Sequence, residues 1–140
     1  MSRIFWDSNL FIYLFENNPE FGQLVVDLRE KMLVRRDQLL TSTLTLGEIL
    51  VKPTARGDRA LCQSYEDVLS RMALLLPFDL KAARKYASIR STTNIKGPDA
   101  VQLACASEAG VDLFITNDNH LQGEHVEGIQ FIVPLSRVPI

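Results

Sequence analysis

The sequence predicts one α/β domain over residues 1–140, with a mostly parallel central sheet of about five strands flanked by helices. Short apolar strands alternate with amphipathic helices along the chain, and strands separated by helices usually pair in parallel. Two of the strands, at residues 4–6 and 113–115, are uninterrupted apolar runs, as expected of strands buried on both faces. The 140 residues are 46% hydrophobic and 23% charged, which fits a single self-sufficient core.

The first elements follow from apolar spacing and from the residues that end them. A strand at Arg3–Trp6 stops at Asp7, and Ser8–Phe15 carries apolar residues at helical spacing. Proline is favoured in the first turn of a helix, so Pro19 predicts a second helix over residues 19–36.

A strand is then expected at residues 38–43, followed by a short helix. Thr45 and Glu48 have the spacing of a capping box, which predicts a helix that starts at Thr45. Pro53 should close this helix near residue 51, since proline removes a backbone donor.

The second half of the chain continues the alternation. Gly97, Pro98 and Asp99 open a helix with small residues on its packing face, and residues 117–121 form a turn or a single helical turn. The other expected helices cover residues 58–73 and 80–92, and the expected strands cover residues 74–78, 112–116 and 128–134.

Cysteine usage and hydropathy predict a protein of the cytoplasm. Cys62 and Cys105 each stand alone in apolar helical patterns, which offers neither a disulfide framework nor a zinc signature. The first residues lack the apolar core of a signal peptide, and no apolar run reaches the ~18 residues of a membrane span. We therefore expect no secretion and no membrane partner.

Four acidic residues stand out by their positions. Asp7 and Asp118 follow strands, whereas Glu48 and Asp99 lie in first turns of predicted helices. Each has an ordinary structural alternative, as a strand-end cap, an Asx turn, a capping-box partner or a helix-dipole partner. In parallel sheets, however, the functional crevice lies beyond the carboxyl ends of the strands, where all four could meet.

Four carboxylates that meet would repel one another unless a cation lies between them, and oxygen ligands favour Mg²⁺ or Mn²⁺. The net charge of −2 becomes +2 if four carboxylates are neutralised in this way. The acidic pI of 5.7 therefore does not exclude a nucleic-acid substrate.

At these residues the sequence resembles the PIN-domain family, most closely its VapC-type toxins. Phe5-Trp6-Asp7-Ser8-Asn9-Leu10 is similar to the family's hydrophobic-Asp-x-Asn opening. Thr45-Leu46-Gly47-Glu48-Ile49-Leu50 resembles its glutamate helix, and Pro98-Asp99-Ala100-Val101-Gln102-Leu103-Ala104 resembles its aspartate-initiated helix. Thr116-Asn117-Asp118 is similar to its Thr-x-Asp strand end, and the four motifs in order span nearly the whole chain.

The resemblance implies a metal-dependent endoribonuclease that hydrolyses RNA with Mg²⁺ or Mn²⁺. It makes Asp7, Glu48, Asp99 and Asp118 the catalytic and metal-binding quartet, supported by the polar side chains of Asn9 and Thr116. It also implies a cognate antitoxin protein, bound in a groove near the active site, and a homodimer.

One basic residue, Lys96, lies close to the quartet in the sequence, three residues before Asp99. Lys96 is either a phosphate contact at the mouth of the site or an exposed loop residue. Two further basic clusters, around residues 31–36 and 52–59, have the alternative of solvated helix faces. His120 and His125 are interpreted as solvated loop residues.

Large apolar side chains are concentrated in the early helices, and either an interface or a well-filled core would accommodate them. They are Phe11, Tyr13, Leu14, Phe15, Phe21 and Leu24.

Three other functions are weighed against the nuclease. A haloacid-dehalogenase phosphatase needs a second Asp two residues after the first, where this chain has Asn9. A receiver domain needs an adjacent acidic pair near its start, which is missing here. A PIN-like RNA- or protein-binding module without catalytic activity is the alternative from a different class, and the presence of all four acids argues against it.

Overall fold

The computed structural model describes all residues 1–140 as five strands and six α-helices. The strands are β1 (Arg3–Trp6), β2 (Gln38–Ser42), β3 (Leu74–Leu76), β4 (Val111–Ile115) and β5 (Ile129–Val133). The helices are α1 (Ser8–Phe15), α2 (Gly22–Arg35), α3 (Thr43–Ala55), α4 (Arg59–Met72), α5 (Leu80–Thr92) and α6 (Gly97–Ala109). Single-turn 3-10 helices lie at Asn119–Leu121 and Leu135–Arg137.

The strands form one sheet in the order β3-β2-β1-β4-β5, and every neighbouring pair is parallel. The predicted α/β class with a parallel five-stranded sheet is therefore confirmed. The chain leaves β1 for β2 on one side, and it later returns to place β4 on the other side of β1. This reversal of strand order opens a crevice at the carboxyl ends of β1 and β4, where ligands of such sheets bind.

Burial on both faces explains why β1 is apolar throughout. Ile4 and Trp6 belong to the core on one face, together with Phe11 of α1. Phe5 points to the core on the other face, where its ring stacks on that of Phe114 with 4.9 Å between centroids. Alternate side chains of one strand thus anchor two helical layers, which holds the carboxyl end of β1 firmly in the middle of the sheet.

The second helix begins later than Pro19 predicts. The side chain of Asn18 accepts hydrogen bonds from the backbone N–H groups of Glu20 and Phe21, each at 2.9 Å. These bonds form a turn at Asn18, and the regular helix α2 starts only at Gly22, after Phe21.

The predicted capping box at Thr45 is wrong. Helix α3 begins two residues earlier, after Ser42, and Glu48 lies in its second turn. Pro53 lies inside the last turn instead of ending the helix, and α3 continues to Ala55. Proline removes only one donor there, and its own carbonyl is capped by the N–H of Asp58 at 2.9 Å.

The remaining boundaries agree with expectation to within a residue or two. β3 is shorter than predicted and ends at Leu76, because Pro77 has no N–H to donate to the neighbouring strand. None of the six helices combines the length and the apolar character needed to cross a membrane.

Candidate active site

Asp7 is the most buried of the four acidic residues, with 4% of its surface exposed. It caps the N-terminus of α1, where its Oδ1 accepts a hydrogen bond from the Ser8 backbone N–H at 2.8 Å. Its Oδ2 accepts one from the Thr116 hydroxyl at 2.7 Å. Burial raises the pKa of Asp7, Asp118 adds to the rise, and the hydrogen bonds from Thr116 and Ser8 partly offset it.

Asp118 follows β4 and is tied to Asp7 through Thr116. The backbone N–H of Asp118 donates to the Thr116 hydroxyl at 3.0 Å, while its Oδ1 accepts from the N–H of His120 at 2.9 Å. The side chain thus caps the short 3-10 helix that follows it. Thr116 is fully buried, so this arrangement is held from inside the protein.

Asp99 lies in the first turn of α6, close enough to Asp118 for the two carboxyl groups to interact. Burial raises the pKa of Asp99 to about 7, with further contributions from Asp118, Asp7 and Glu48. Two carboxyl groups this close favour a shared proton over two negative charges. The elevated pKa therefore reflects burial first and neighbouring negative charge second.

Glu48 projects from the second turn of α3 and is the most exposed of the four. Partial burial raises its pKa and Asp7 raises it further, whereas the nearby Ser8 side chain opposes the shift. Glu48 therefore lies at the rim of the same acidic crevice, on the side of α1.

The four predicted acids thus interact through their charges at one edge of the sheet, where Asp118, Asp7 and Glu48 each raise the pKa of Asp99. They are not assembled as a preformed ligand shell, because no group of three or more His, Cys, Asp or Glu side chains is arranged to hold a metal ion. Each oxygen of Asp7 accepts one hydrogen bond and keeps a lone pair that could face a cation. Side-chain rotation would be needed before three of the four carboxylates could share one ion.

The donor chemistry nevertheless fits a hard divalent cation. Every available ligand is an oxygen, which favours Mg²⁺ or Mn²⁺ over zinc. Asn9 adds a further oxygen from the first turn of α1: its Oδ1 is buried and has no hydrogen-bond partner. An orphaned buried acceptor two residues from Asp7 is costly unless something else satisfies it.

The other sequence candidates lie outside this cluster. Lys96 is the exposed N-cap residue of α6 and forms no ion pair. His120 and His125 are exposed, as interpreted from the sequence. Of the two basic clusters, Arg35 pairs with Asp37 and Lys52 pairs with Glu16, each at 2.8 Å.

A groove near the active site is what the family resemblance implies, but the sequence did not indicate which residues line it. A cavity of about 550 Å³ lies between α1, α3 and α4 and reaches Glu48. Its lining combines apolar side chains with Lys52, Arg56 and Glu16, and the Phe15 and Tyr65 rings stack at 5.0 Å beside it. The large apolar residues of α1 are therefore divided: Phe11 is fully buried, whereas Ile12 and Phe15 line this groove.

The parallel sheet, and the carboxylates at the carboxyl ends of β1 and β4 where the strand order reverses, define the class of this protein. It is an α/β domain with an acidic crevice. The model of the PIN domain family matches residues 4–123, and the chain belongs to this family. The resemblance carried by the four motifs is thereby confirmed, and it places the chain in a family of nuclease domains.

Three solved structures of toxin–antitoxin systems show the same fold. VapBC2 from Rickettsia felis, bound to a promoter DNA fragment, superposes with a TM-score of 0.74 at 14% identity, covering 94% of this chain and 98% of that one. VapBC-1 from nontypeable Haemophilus influenzae gives 0.71 at 16%, covering 96% and 99%. VapBC-5 from Mycobacterium tuberculosis gives 0.61 at 22%, covering 94% and 98%. Comparison with curated proteins found no match.

Proposed function

We propose that this protein is a metal-dependent endoribonuclease and the toxin of a toxin–antitoxin pair, acting in the cytoplasm. The observation that carries the proposal is the link from Asp7 through the Thr116 hydroxyl to Asp118 at the carboxyl ends of β1 and β4, with Asp99 and Glu48 close enough to interact with these acids by charge. Structural cores rarely gather four acids in one crevice, because the charges repel and lose water. Such a cluster is better explained by a positively charged ligand.

Asp7, Glu48, Asp99 and Asp118 are the proposed ligands of Mg²⁺ or Mn²⁺, with Asn9 as a supporting oxygen. The bound ion would supply an activated water and neutralise charge on the phosphodiester. Thr116 would hold Asp7 in its ligating orientation through the 2.7 Å hydrogen bond. Lys96, which forms no ion pair, is the proposed contact for an RNA phosphate beside the crevice.

The groove between α1, α3 and α4 is the proposed docking site of the antitoxin. The structural neighbours come from toxin–antitoxin complexes, which supports a protein partner here. Apolar side chains at the base of the groove suit an amphipathic segment, and the groove ends at Glu48. A segment bound there would block access to the acidic crevice. The expected homodimer stays a prediction, to be checked by sedimentation equilibrium.

Cleavage of a labelled single-stranded RNA tests the proposed activity. Wild-type protein with Mn²⁺ should cut the RNA, whereas Asp99→Asn should lose activity by at least about 10²-fold, because one ligand oxygen loses its charge. Asp67→Asn is the matched control, since Asp67 lies on α4 and accepts only from Gln63 at 2.9 Å. Equal rates for Asp99→Asn and Asp67→Asn would contradict the proposal and favour a binding module without catalytic activity.

A further inference from the structure

A chain of buried polar side chains connects α6, α3 and β2 beneath the acidic crevice. The Gln102 amide Nε2 donates to the Thr45 hydroxyl at 2.8 Å, and the hydroxyls of Thr45 and Thr41 lie 2.7 Å apart. The Thr41 hydroxyl donates to the Trp6 carbonyl at 2.8 Å, and the Ser42 hydroxyl donates to Gln102 Oε1. Gln102 is 2% exposed, and Thr41, Ser42 and Thr45 are completely buried.

The direction of this chain follows from counting protons. Each threonine hydroxyl has one hydrogen. The Thr41 hydroxyl donates its one hydrogen to the Trp6 carbonyl, so Thr45 must be the donor between the two threonines. Thr45 can then only accept from Gln102, as the geometry shows. The bonds therefore run one way, from α6 through α3 and β2 to the peptide that joins Trp6 to Asp7.

At three points this chain comes close in sequence to a residue of the quartet. Gln102 follows Asp99 by one turn of α6, and Thr45 precedes Glu48 by one turn of α3. The chain ends on the carbonyl of Trp6, and the N–H of the same peptide, which belongs to Asp7, donates to the Ile115 carbonyl at 3.0 Å. Three carboxylates thus project from backbone that one polar network holds together.

We propose that Gln102 and Thr45 are positioning residues, which set the separation of Asp99, Glu48 and Asp7 for metal binding. This inference rests on the function proposed above. Packing alone would be served equally well by apolar side chains, since an all-apolar replacement of a buried hydrogen-bonded pair is often nearly neutral for stability. Hydrogen bonds are directional, whereas apolar contacts are not. They can therefore specify both the distance and the rotation of α6 relative to α3.

The test measures Mn²⁺ binding to the free protein by electron paramagnetic resonance, which needs no RNA and no turnover. Gln102→Leu and Thr45→Val keep the approximate side-chain volume and remove the polar link between the helices. Each should weaken Mn²⁺ binding about 10-fold or more, as is typical when a partner behind the metal ligands is lost. Thr45→Ser keeps the hydroxyl and should restore wild-type affinity.

The matched control is Ser107→Ala on the same helix. The Ser107 hydroxyl donates to the Glu127 carbonyl at the far end of α6, about 12 Å along the axis from Asp99. This variant also loses a buried hydrogen bond and should lower the melting temperature while Mn²⁺ affinity stays unchanged.

Two results would decide against the positioning role in different ways. Gln102→Leu and Thr45→Val with wild-type Mn²⁺ affinity and a lower melting temperature would make the network a purely structural feature. Wild-type protein that binds no Mn²⁺, or binds it as well as Asp99→Asn does, would overturn the proposed metal centre itself, and the positioning role with it.

Discussion

The hydroxyl of Thr116 donates to Asp7 across 109 residues of sequence, at 2.7 Å, while the same oxygen accepts the N–H of Asp118 at 3.0 Å. One buried hydroxyl therefore connects the first and the last acid of the quartet. It also favours the charged form of Asp7 against the effect of burial, which raises the pKa of that carboxyl group. Thr116 thus contacts both Asp7 and Asp118 from inside the protein.

Replacement of Thr116 by valine should test that role. Thr116→Val leaves Asp7 with one hydrogen bond fewer and should raise its pKa further, so metal binding and RNA cleavage should both fall about 10- to 100-fold. Thr116→Ser retains the hydroxyl and should remain near wild type. Calorimetric titration with Mn²⁺ measures the affinity, and a Thr116→Val protein that binds like wild type would contradict the assignment.

The elevated pKa of Asp99 predicts a specific dependence of stability on pH. The folded protein holds the Asp99 proton up to about pH 7, whereas the unfolded chain releases it near pH 3.8. Its contribution to stability is therefore complete below about pH 4 and is lost as the pH rises through 7. In EDTA, the melting temperature of wild type should fall relative to that of Asp99→Asn between pH 5 and pH 8.

Added Mn²⁺ is the control for this experiment. It should reverse the loss at pH 8 in wild type and have little effect on Asp99→Asn, because a ligand that binds only the folded state stabilises it. Parallel melting curves for the two proteins across this range would mean that Asp99 titrates normally.

The general plan of the fold was predictable because its signals are local. Continuous apolar runs in β1 and β4, and helices between strands, were sufficient for a parallel sheet. The failures occurred where a short-range rule competed with tertiary contacts. Thr45 satisfied the spacing of a capping box, yet its hydroxyl lies in the core on Gln102, a partner 57 residues away that no local pattern reveals.

The candidate site was predictable to a smaller extent. Strand ends and helix starts singled out Asp7, Glu48, Asp99 and Asp118, because carboxyl ends of parallel strands share one edge of the sheet. The rotation of each side chain depends on neighbours from distant parts of the chain, such as Thr116 beside Asp7. Gln102 carries one local signal, a large polar side chain within a helix of small apolar residues, one turn after Asp99.

Lys96 should act through charge. With the inactive Asp99→Asn protein as background, Lys96→Gln should weaken binding of single-stranded RNA and reduce the slope of log K against log salt by about one. Lys31→Gln, on the exposed face of α2, should leave the slope unchanged. Equal slopes for the two variants, measured by fluorescence anisotropy, would return Lys96 to the role of an exposed loop residue.

Substitutions in the groove between α1, α3 and α4 should prevent neutralisation by the antitoxin without reducing the toxicity of the protein. Expression of the chain alone should arrest growth, and Asp99→Asn or co-expression of the antitoxin should relieve the arrest. Val51 is 63% exposed and lines the groove, so Val51→Asp should remain toxic and resist the antitoxin. Val68→Asp, a comparable change outside the groove lining, should stay neutralised. Growth curves at matched protein levels distinguish the variants, and a neutralised Val51→Asp would place the antitoxin elsewhere.

The central claim is that carboxylate-held metal, without attack by the RNA 2′-hydroxyl, drives cleavage. The most direct measurement is the chemistry of the product ends after digestion of a defined RNA, with Mn²⁺ and with EDTA. We predict cleavage with Mn²⁺ only, products free of 2′,3′-cyclic phosphate, and continued cleavage when a single 2′-deoxynucleotide replaces the nucleotide at the cut. Cleavage that persists in EDTA, or products that end in a cyclic phosphate, would contradict the account.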